Sequence, residues 1–401
     1  MEIARFRIRL LIVQVILFLA ASATFDESYR AGLLALQQSH LAEARTNLEN
    51  AAKIEPGNGR VWLALAQTYW KLQESAKADQ AAEKAANLAM GDAQVLKLLA
   101  VFYSEAGHWL KAGDVQAKYA AAAPNDRDAI PHALDYYLRA KAPERAIQVG
   151  KSSPALLERA EVRNLLGKAY SDLNKQDSAE AEFQAAVRLN PYQEGYYFDF
   201  ANNLLQQQKF ELAIQVLRDA KRNFDKSAQL ELALGVACYG LRRYSEAAAA
   251  FQRTIALSPD LEQPYLFLGK MLDQIPEKLA DLTRLFEKFE KEHPQNYAGY
   301  LLHAKALMAQ SLDSELPETL LRKACSLNDQ AAEPHFQLGV VLQRERKFAD
   351  AAKEFEGAAA LDPADSATHY HLAQVYDRLG KRDAAVAERE RHARLMQAGR
   401  Q

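Results

Sequence analysis

Small residues recur about every 34 positions along nearly the whole of this 401-residue chain. The clearest series contains only glycine and alanine: Gly32, Ala66, Ala100, Gly167, Ala201, Gly235, Gly269, Ala304, Gly339 and Ala373. A second series contains only alanine: Ala44, Ala78, Ala112, Ala146, Ala179, Ala213, Ala247, Ala351 and Ala385. Prolines follow the same period, one or two repeats apart. A fixed period of this size indicates stacked structural repeats, each packed on its neighbours.

One repeat, residues 93–126, shows what each unit should look like. Apolar residues from Leu96 onward are spaced three and four positions apart, which predicts one buried face of a helix. Gly107 can close that helix, because glycine readily adopts a left-handed backbone conformation. A second amphipathic stretch starts at Trp109, and Pro124 ends it. Each unit is therefore predicted to be an antiparallel pair of helices.

This pattern resembles the tetratricopeptide repeat. Residues 160–193 carry its signature in order: Leu166, Gly167, Tyr170, Ala179, Phe183, Ala186 and Pro191. The resemblance covers about eleven repeats within 24–401: 25–58, 59–92, 93–126, 127–159, 160–193, 194–227, 228–261, 262–296, 297–331, 332–365 and 366–398. It implies an all-α solenoid, a right-handed superhelix with a concave inner face, that binds proteins or peptides.

Three repeats depart from the pattern. In 127–159, Leu134 replaces the small residue of the first helix. In 262–296, Pro276 occupies the turn between the two helices, and in 297–331 that turn is lengthened. These departures are either neutral drift in a tolerant architecture or hinges at which the stacking weakens.

Residues 1–23 do not follow the repeat. Three arginines between Arg5 and Arg9 precede the uncharged apolar run 10–20, and small residues occupy 21–23. This pattern is typical of a secretory signal peptide. An uncleaved inner-membrane anchor is the alternative, although the run is shorter than the roughly 20 residues that span a bilayer. We expect an exported bacterial protein, periplasmic or extracellular, with membrane contact only if this segment is retained.

Composition excludes several function classes. Apolar residues make up 49% of the chain and charged residues 25%, as in a soluble globular protein. The net charge of −2 gives no field that would attract nucleic acid. The two cysteines, Cys238 and Cys325, lie about two and a half repeats apart, beyond disulfide reach, and are expected to be separate buried thiols.

No catalytic constellation is present in the sequence. Nucleotide-binding glycine motifs, a nucleophile-elbow serine, zinc-protease histidines and a haem-attachment motif are all missing, so we expect no enzyme activity and no cofactor. The nine histidines are scattered. His369 and His371 are nearest, but two positions along a helix point in different directions, so no metal site is expected.

Surface recognition remains. In the related fold the first helix of each pair lines the groove, and the register places ten candidate protein-binding residues there: Tyr29, Leu63, Trp70, Lys97, Phe198, Asn202, Tyr239, Phe267, Phe336 and Tyr370. Aromatic side chains favour binding hot spots, but they can equally pack between neighbouring helices. The carboxylate clamp of chaperone-binding relatives is not matched, because Val101 stands where that clamp needs asparagine.

These observations favour a non-enzymatic protein-interaction scaffold of the cell envelope that holds a peptide or a partner helix. The alternative is an accessory subunit of a secretion or envelope-assembly enzyme complex.

Overall fold

A computed structural model describes residues 24–310 and 315–398. Within these ranges it contains twenty-two α-helices and no β-strand, so the predicted all-α fold is confirmed. The predicted signal peptide, 1–23, lies outside the described residues. The chain divides into two compact units at the boundary between Asn203 and Leu204.

The amino-terminal unit is a series of helices joined by short turns. Its helices are α1 (24–37), α2 (Leu41–Ile54), α3 (Gly59–Lys71), α4 (Ser75–Leu88), α5 (Ala93–Glu105), α6 (Trp109–Ala122), α7 (Ala129–Arg139), α8 (Pro143–Gly150), α9 (Ala160–Asp172), α10 (Gln176–Leu189) and α11 (Glu194–Gln206), whose last residues belong to the next unit. A 3₁₀ helix, Pro154–Glu158, follows α8. The two helices of a pair, such as α3 with α4 and α9 with α10, pack against each other.

The carboxy-terminal unit continues the same alternation. Its helices are α12 (Phe210–Ala220), α13 (Ala228–Gly240), α14 (Tyr244–Leu257), α15 (Glu262–Lys270), α16 (Leu279–Glu292), α17 (Tyr297–Ala309), α18 (Leu316–Leu327), α19 (Ala332–Arg344), α20 (Phe348–Leu361), α21 (Ser366–Arg378) and α22 (Arg382–Ala398). Most of the lengthened turn between α17 and α18, residues 311–314, lies outside the described residues.

A left-handed residue closes the turn inside most helix pairs. Gly107 has φ 76°, as its glycine predicts, and the residues at the same repeat position also have positive φ: Ser39, Gln73, Lys141, Asn174, Gln208, Arg242, Arg346 and Gly380. The next amide then bonds back across the turn; His108 N–H, for example, donates to the Tyr103 carbonyl at 2.8 Å. This bond satisfies a carbonyl that the end of the first helix leaves unpaired.

Pro276 occupies the same turn position in the pair α15/α16. Proline fixes φ near −65° and so cannot adopt the left-handed conformation. The helix α15 ends early, at Lys270, and two 3₁₀ helices, Leu272–Gln274 and Pro276–Lys278, make the connection instead. The irregularity expected in 262–296 therefore has a backbone cause.

The recurrent small residue of the first helix accommodates a ring from the second. A Cβ atom added to Gly167 would lie 2.8 Å from the Phe183 ring, and one added to Gly235 would lie 2.5 Å from the Phe251 ring. Both rings are fully buried. A larger side chain would therefore collide with the ring, which is why this position stays small.

Candidate protein-binding surface

The structure distributes the ten predicted groove residues unevenly between surface and core. Four are exposed: Trp70, Lys97, Asn202 and Tyr370. Five are half-buried: Tyr29, Phe198, Tyr239, Phe267 and Phe336. Leu63 is only 5% exposed and belongs to the core of the amino-terminal unit, so its placement on a binding surface is wrong. Its neighbours on α3 explain this, because the apolar face of that helix is broad enough to include it.

Several predicted aromatic residues bridge neighbouring first helices. The Trp70 ring of α3 meets the Phe102 ring of α5 edge to face, with 5.9 Å between centroids. In the carboxy-terminal unit, the Tyr239 ring of α13 meets the Phe267 ring of α15 at 5.4 Å. Such contacts stabilise the stacking of one pair on the next. For Tyr239 and Phe267, which are half-buried, packing is the main role that the geometry supports.

An exposed apolar patch lies on α3 and α5 of the amino-terminal unit. We call Trp70, Leu98 and Val101 the α5 patch; they are 37%, 36% and 42% exposed. Leu98, Val101 and Phe102 are spaced three and four positions apart, so they share one face of α5, and Trp70 packs on Phe102. Sequence reasoning found Trp70 but missed Leu98. Val101 carried a signal in the sequence, because the preceding and following repeats have glutamine and aspartate in its register.

A second group of rings lies in the carboxy-terminal unit. The His371 ring of α21 lies 5.5 Å, centroid to centroid, from the rings of Phe336, Phe355 and Tyr370. Its Nδ1 atom lies 2.9 Å from the Gln343 Oε1 atom. Burial lowers the pKa of His371, because a charged imidazole is poorly solvated among rings. The cluster is therefore largely apolar at neutral pH, and only Tyr370, 48% exposed, projects well into solvent.

In the amino-terminal unit, polar side chains of a first helix pair with residues in the turn that precedes the next first helix. Arg60 of α3 pairs with Asp92, the residue before α5, at 2.9 Å. Lys97, one of the predicted groove residues, pairs with Asp126 at 3.8 Å, and its ammonium group lies over the Tyr119 ring. Each of these two positive charges therefore has a carboxylate partner.

The two cysteines are both free thiols, as predicted. Cys238 is buried, whereas Cys325 is half-buried at the end of α18. There the fold brings Cys325 close to His335 of α19 and Glu354 of α20. This cluster was missed in the sequence because its members are 10 and 19 residues apart and follow no known metal motif.

None of the described helices has the length and apolar character needed to cross a bilayer.

The recurring antiparallel helix pairs define a helical-repeat protein. Models of the family described as "Tetratricopeptide repeat" match 35–102, 160–193, 198–262 and 336–395, together more than half of the chain. The chain belongs to the tetratricopeptide repeat family.

Solved structures similar to this chain are remote in sequence. Yeast Tom70 is 15% identical, with 94% of this chain and 92% of that chain covered and a TM-score of 0.42. The C-terminal part of a TPR repeat-containing protein from Cytophaga hutchinsonii is 18% identical, with 68% and 98% covered and a TM-score of 0.44. YrrB, described as a TPR protein with an unusual peptide-binding site, is 18% identical, with 53% and 91% covered and a TM-score of 0.32. No curated protein sequence matches the chain.

Proposed function

We propose that this protein is a non-enzymatic scaffold of the cell envelope that binds an extended peptide segment of a partner protein along its first helices. Its family supports the coarser part of this statement, because tetratricopeptide repeat proteins are generally protein-interaction scaffolds. The envelope location rests on the signal-peptide pattern of residues 1–23.

The observation that carries the peptide-binding proposal is the α5 patch. Its three side chains are each more than a third exposed, and Trp70 is held in place by Phe102, so a partner need not order it. A rigid, partly exposed tryptophan beside aliphatic side chains is a typical anchor site, since large area is buried at small entropic cost.

The size of the patch favours a peptide over a folded domain. Stable interfaces between globular partners bury about 800 Å² on each side, which is far more than three side chains offer. Lys97, one turn before Val101 on α5, pairs with Asp126 at 3.8 Å, and such a paired charge fits a polar rim around one or two apolar anchors. We therefore expect the ligand to carry an aromatic or branched aliphatic residue within an uncharged stretch.

A peptide-display selection on the intact chain, followed by affinity measurement, tests this. Val101→Asp places a charge in the patch. It should lower the affinity for the selected peptides at least about tenfold, which corresponds to roughly 1.4 kcal/mol of binding free energy. Val386→Asp is the matched control, because Val386 is 50% exposed on α22, the last helix of the carboxy-terminal unit. Equal affinities for the wild type and both variants would contradict binding at the α5 patch.

Export has a separate test. Sequencing the amino terminus of the protein from its native host, after fractionation, should show a chain that starts near Thr24 in the envelope or medium. A soluble cytoplasmic protein that retains Met1 would contradict the envelope assignment.

A further inference from the structure

Three metal-binding side chains from three successive helices meet in the carboxy-terminal unit. Cys325 of α18, His335 of α19 and Glu354 of α20 each offer one ligand atom, and these atoms all lie within 4.8 Å of one another. The His335 Nδ1 atom already lies 2.7 Å from a Glu354 carboxylate oxygen. The His335 and Glu354 side chains are 19% and 17% exposed, so the cluster is sheltered yet reachable from solvent.

The types of these three side chains suit a borderline-soft divalent cation. Thiolate, imidazole and carboxylate are the ligands that zinc uses in proteins, and three of them leave a fourth, tetrahedral position for water. A thiolate and a carboxylate together carry two negative charges, which a dication neutralises.

The neighbouring repeat shows the same arrangement without a site. His369 and Glu388 lie 34 residues after His335 and Glu354, and their atoms pair in the same way at 2.6 Å. There Ala359 stands in the register of Cys325. The His–Glu pair is therefore a structural feature of these repeats, and the thiol is the addition that distinguishes the first copy.

The neighbourhood of Glu354 differs in a second way. In the later copy Arg391 pairs with Glu388 at 3.3 Å and supplies a permanent positive charge. In the first copy Gly357 stands in the register of Arg391. A Cβ atom at Gly357 would lie 3.9 Å from the His335 Nδ1 atom, which is ordinary van der Waals contact, so this position carries no side chain that could reach Glu354 as Arg391 reaches Glu388. The nearby Arg322 is already paired with Glu318 at 2.7 Å.

We propose that Cys325, His335 and Glu354 form a zinc-class metal site that ties the end of α18 to the next helix pair. Binding replaces the thiol proton, which leaves to solvent, with a bond from the sulfur to the metal. The fourth ligand is water. Without metal, burial and the Glu354 carboxylate raise the pKa of the Cys325 thiol to about 11, so it is protonated at neutral pH.

Cobalt(II) reports directly on such a site, because a thiolate ligand gives a charge-transfer band in the near ultraviolet. The purified chain, stripped with a chelator, should bind one equivalent of Co²⁺ with that band, and excess Zn²⁺ should displace it. Cys325→Ala should abolish the band. Because Cys238 remains in this variant, it controls for adventitious binding by a thiol.

Glu354→Gln tests the carboxylate with little change in shape, and circular dichroism should show that it keeps its helices. We expect it to weaken Co²⁺ binding while Cys325 still contributes to any residual band. A wild-type chain without the band, or a band that survives in Cys325→Ala, would overturn the proposal. Unchanged binding by Glu354→Gln would overturn the three-ligand assignment.

Discussion

Two adjacent helix pairs of the amino-terminal unit each pack one large side chain against one small residue. The two pairs differ in which helix contributes the large side chain. In α9/α10 the first helix contributes Gly167 and the second contributes the buried Phe183 ring. In α7/α8 the first helix contributes the fully buried Leu134, and the second contributes Gly150. A Cβ atom added to Gly150 would lie 3.1 Å from Leu134 Cδ2 and 2.8 Å from Leu166 Cδ2.

The exchange shows that the large side chain between the two helices can come from either helix, provided that the facing position is small. The series of small residues breaks at Leu134, yet the helix pair persists because a glycine sixteen residues later makes room. What changes is the second helix. The helix α8 has eight residues where α10 has fourteen, and a surface cavity of about 650 Å³ opens beside it, lined by Ala117, Ile130 and Gln148 among others.

The largest effect should come from removing the large member of each pair. Phe183→Ala should cost about 3–5 kcal/mol of unfolding free energy, and Leu134→Ala about 2–5 kcal/mol, because both leave cavities in a tight core. Denaturant unfolding measures both. Leu189→Ala, on the exposed side of α10, is the control and should change little. If Leu134→Ala left the free energy of unfolding nearly unchanged, Leu134 would not play the role in α7/α8 that Phe183 plays in α9/α10.

The next effect concerns a polar contact that is present in α9/α10 and absent from α7/α8. Arg163 donates to the Leu157 carbonyl and to the buried Glu182 carboxylate, both at 2.7 Å, whereas Ile130 fills the corresponding place in α7. Arg163→Ala should cost about 1–3 kcal/mol, since Glu182 loses its close partner in a sheltered place. Arg159→Ala, which removes a 3.7 Å pair with the exposed Glu161, should cost under about 1 kcal/mol. Equal losses would show that the Arg163 contact adds nothing to α9/α10.

The smallest effect compares the two turns. Lys141 closes α7/α8 at φ 56° and Asn174 closes α9/α10 at φ 57°. Asparagine tolerates the left-handed conformation better than lysine, whose Cβ is strained there. Lys141→Gly should therefore stabilise the chain by about 0.5–1 kcal/mol, and Asn174→Gly by less. Thermal unfolding of the two variants side by side checks the order, and a larger gain at Asn174 would contradict it.

The sequence predicted the helices well because their causes are local. Spacing of apolar residues, glycine at Gly107 and proline at Pro276 act within a few residues, so the reading of helices and turns needed no knowledge of tertiary contacts. The exchange of Leu134 with Gly150 was not predicted, because the sequence pattern was defined by the small residue of the first helix alone. The facing position on the second helix was not included in it. Its partner series, sixteen residues later, carried the missing information.

The binding surface was harder to predict. The repeat register shows on which face of a helix a residue lies, but it does not show whether neighbouring side chains bury that residue. Leu63 and Trp70 lie on the same helix, yet the first is buried and the second exposed. The metal-ligand cluster required three helices to meet, and only the comparison of His335 with His369, one period apart, hints at it in sequence.

A double-mutant cycle of Leu134→Ala and Gly150→Ala tests whether Leu134 and Gly150 share one space between α7 and α8. The contact of the new methyl group with Leu166 and the helix propensity of alanine occur in both backgrounds, so they cancel. We predict that Gly150→Ala is less destabilising in the Leu134→Ala background by at least about 0.5 kcal/mol. The same cost of Gly150→Ala in both backgrounds would contradict the account.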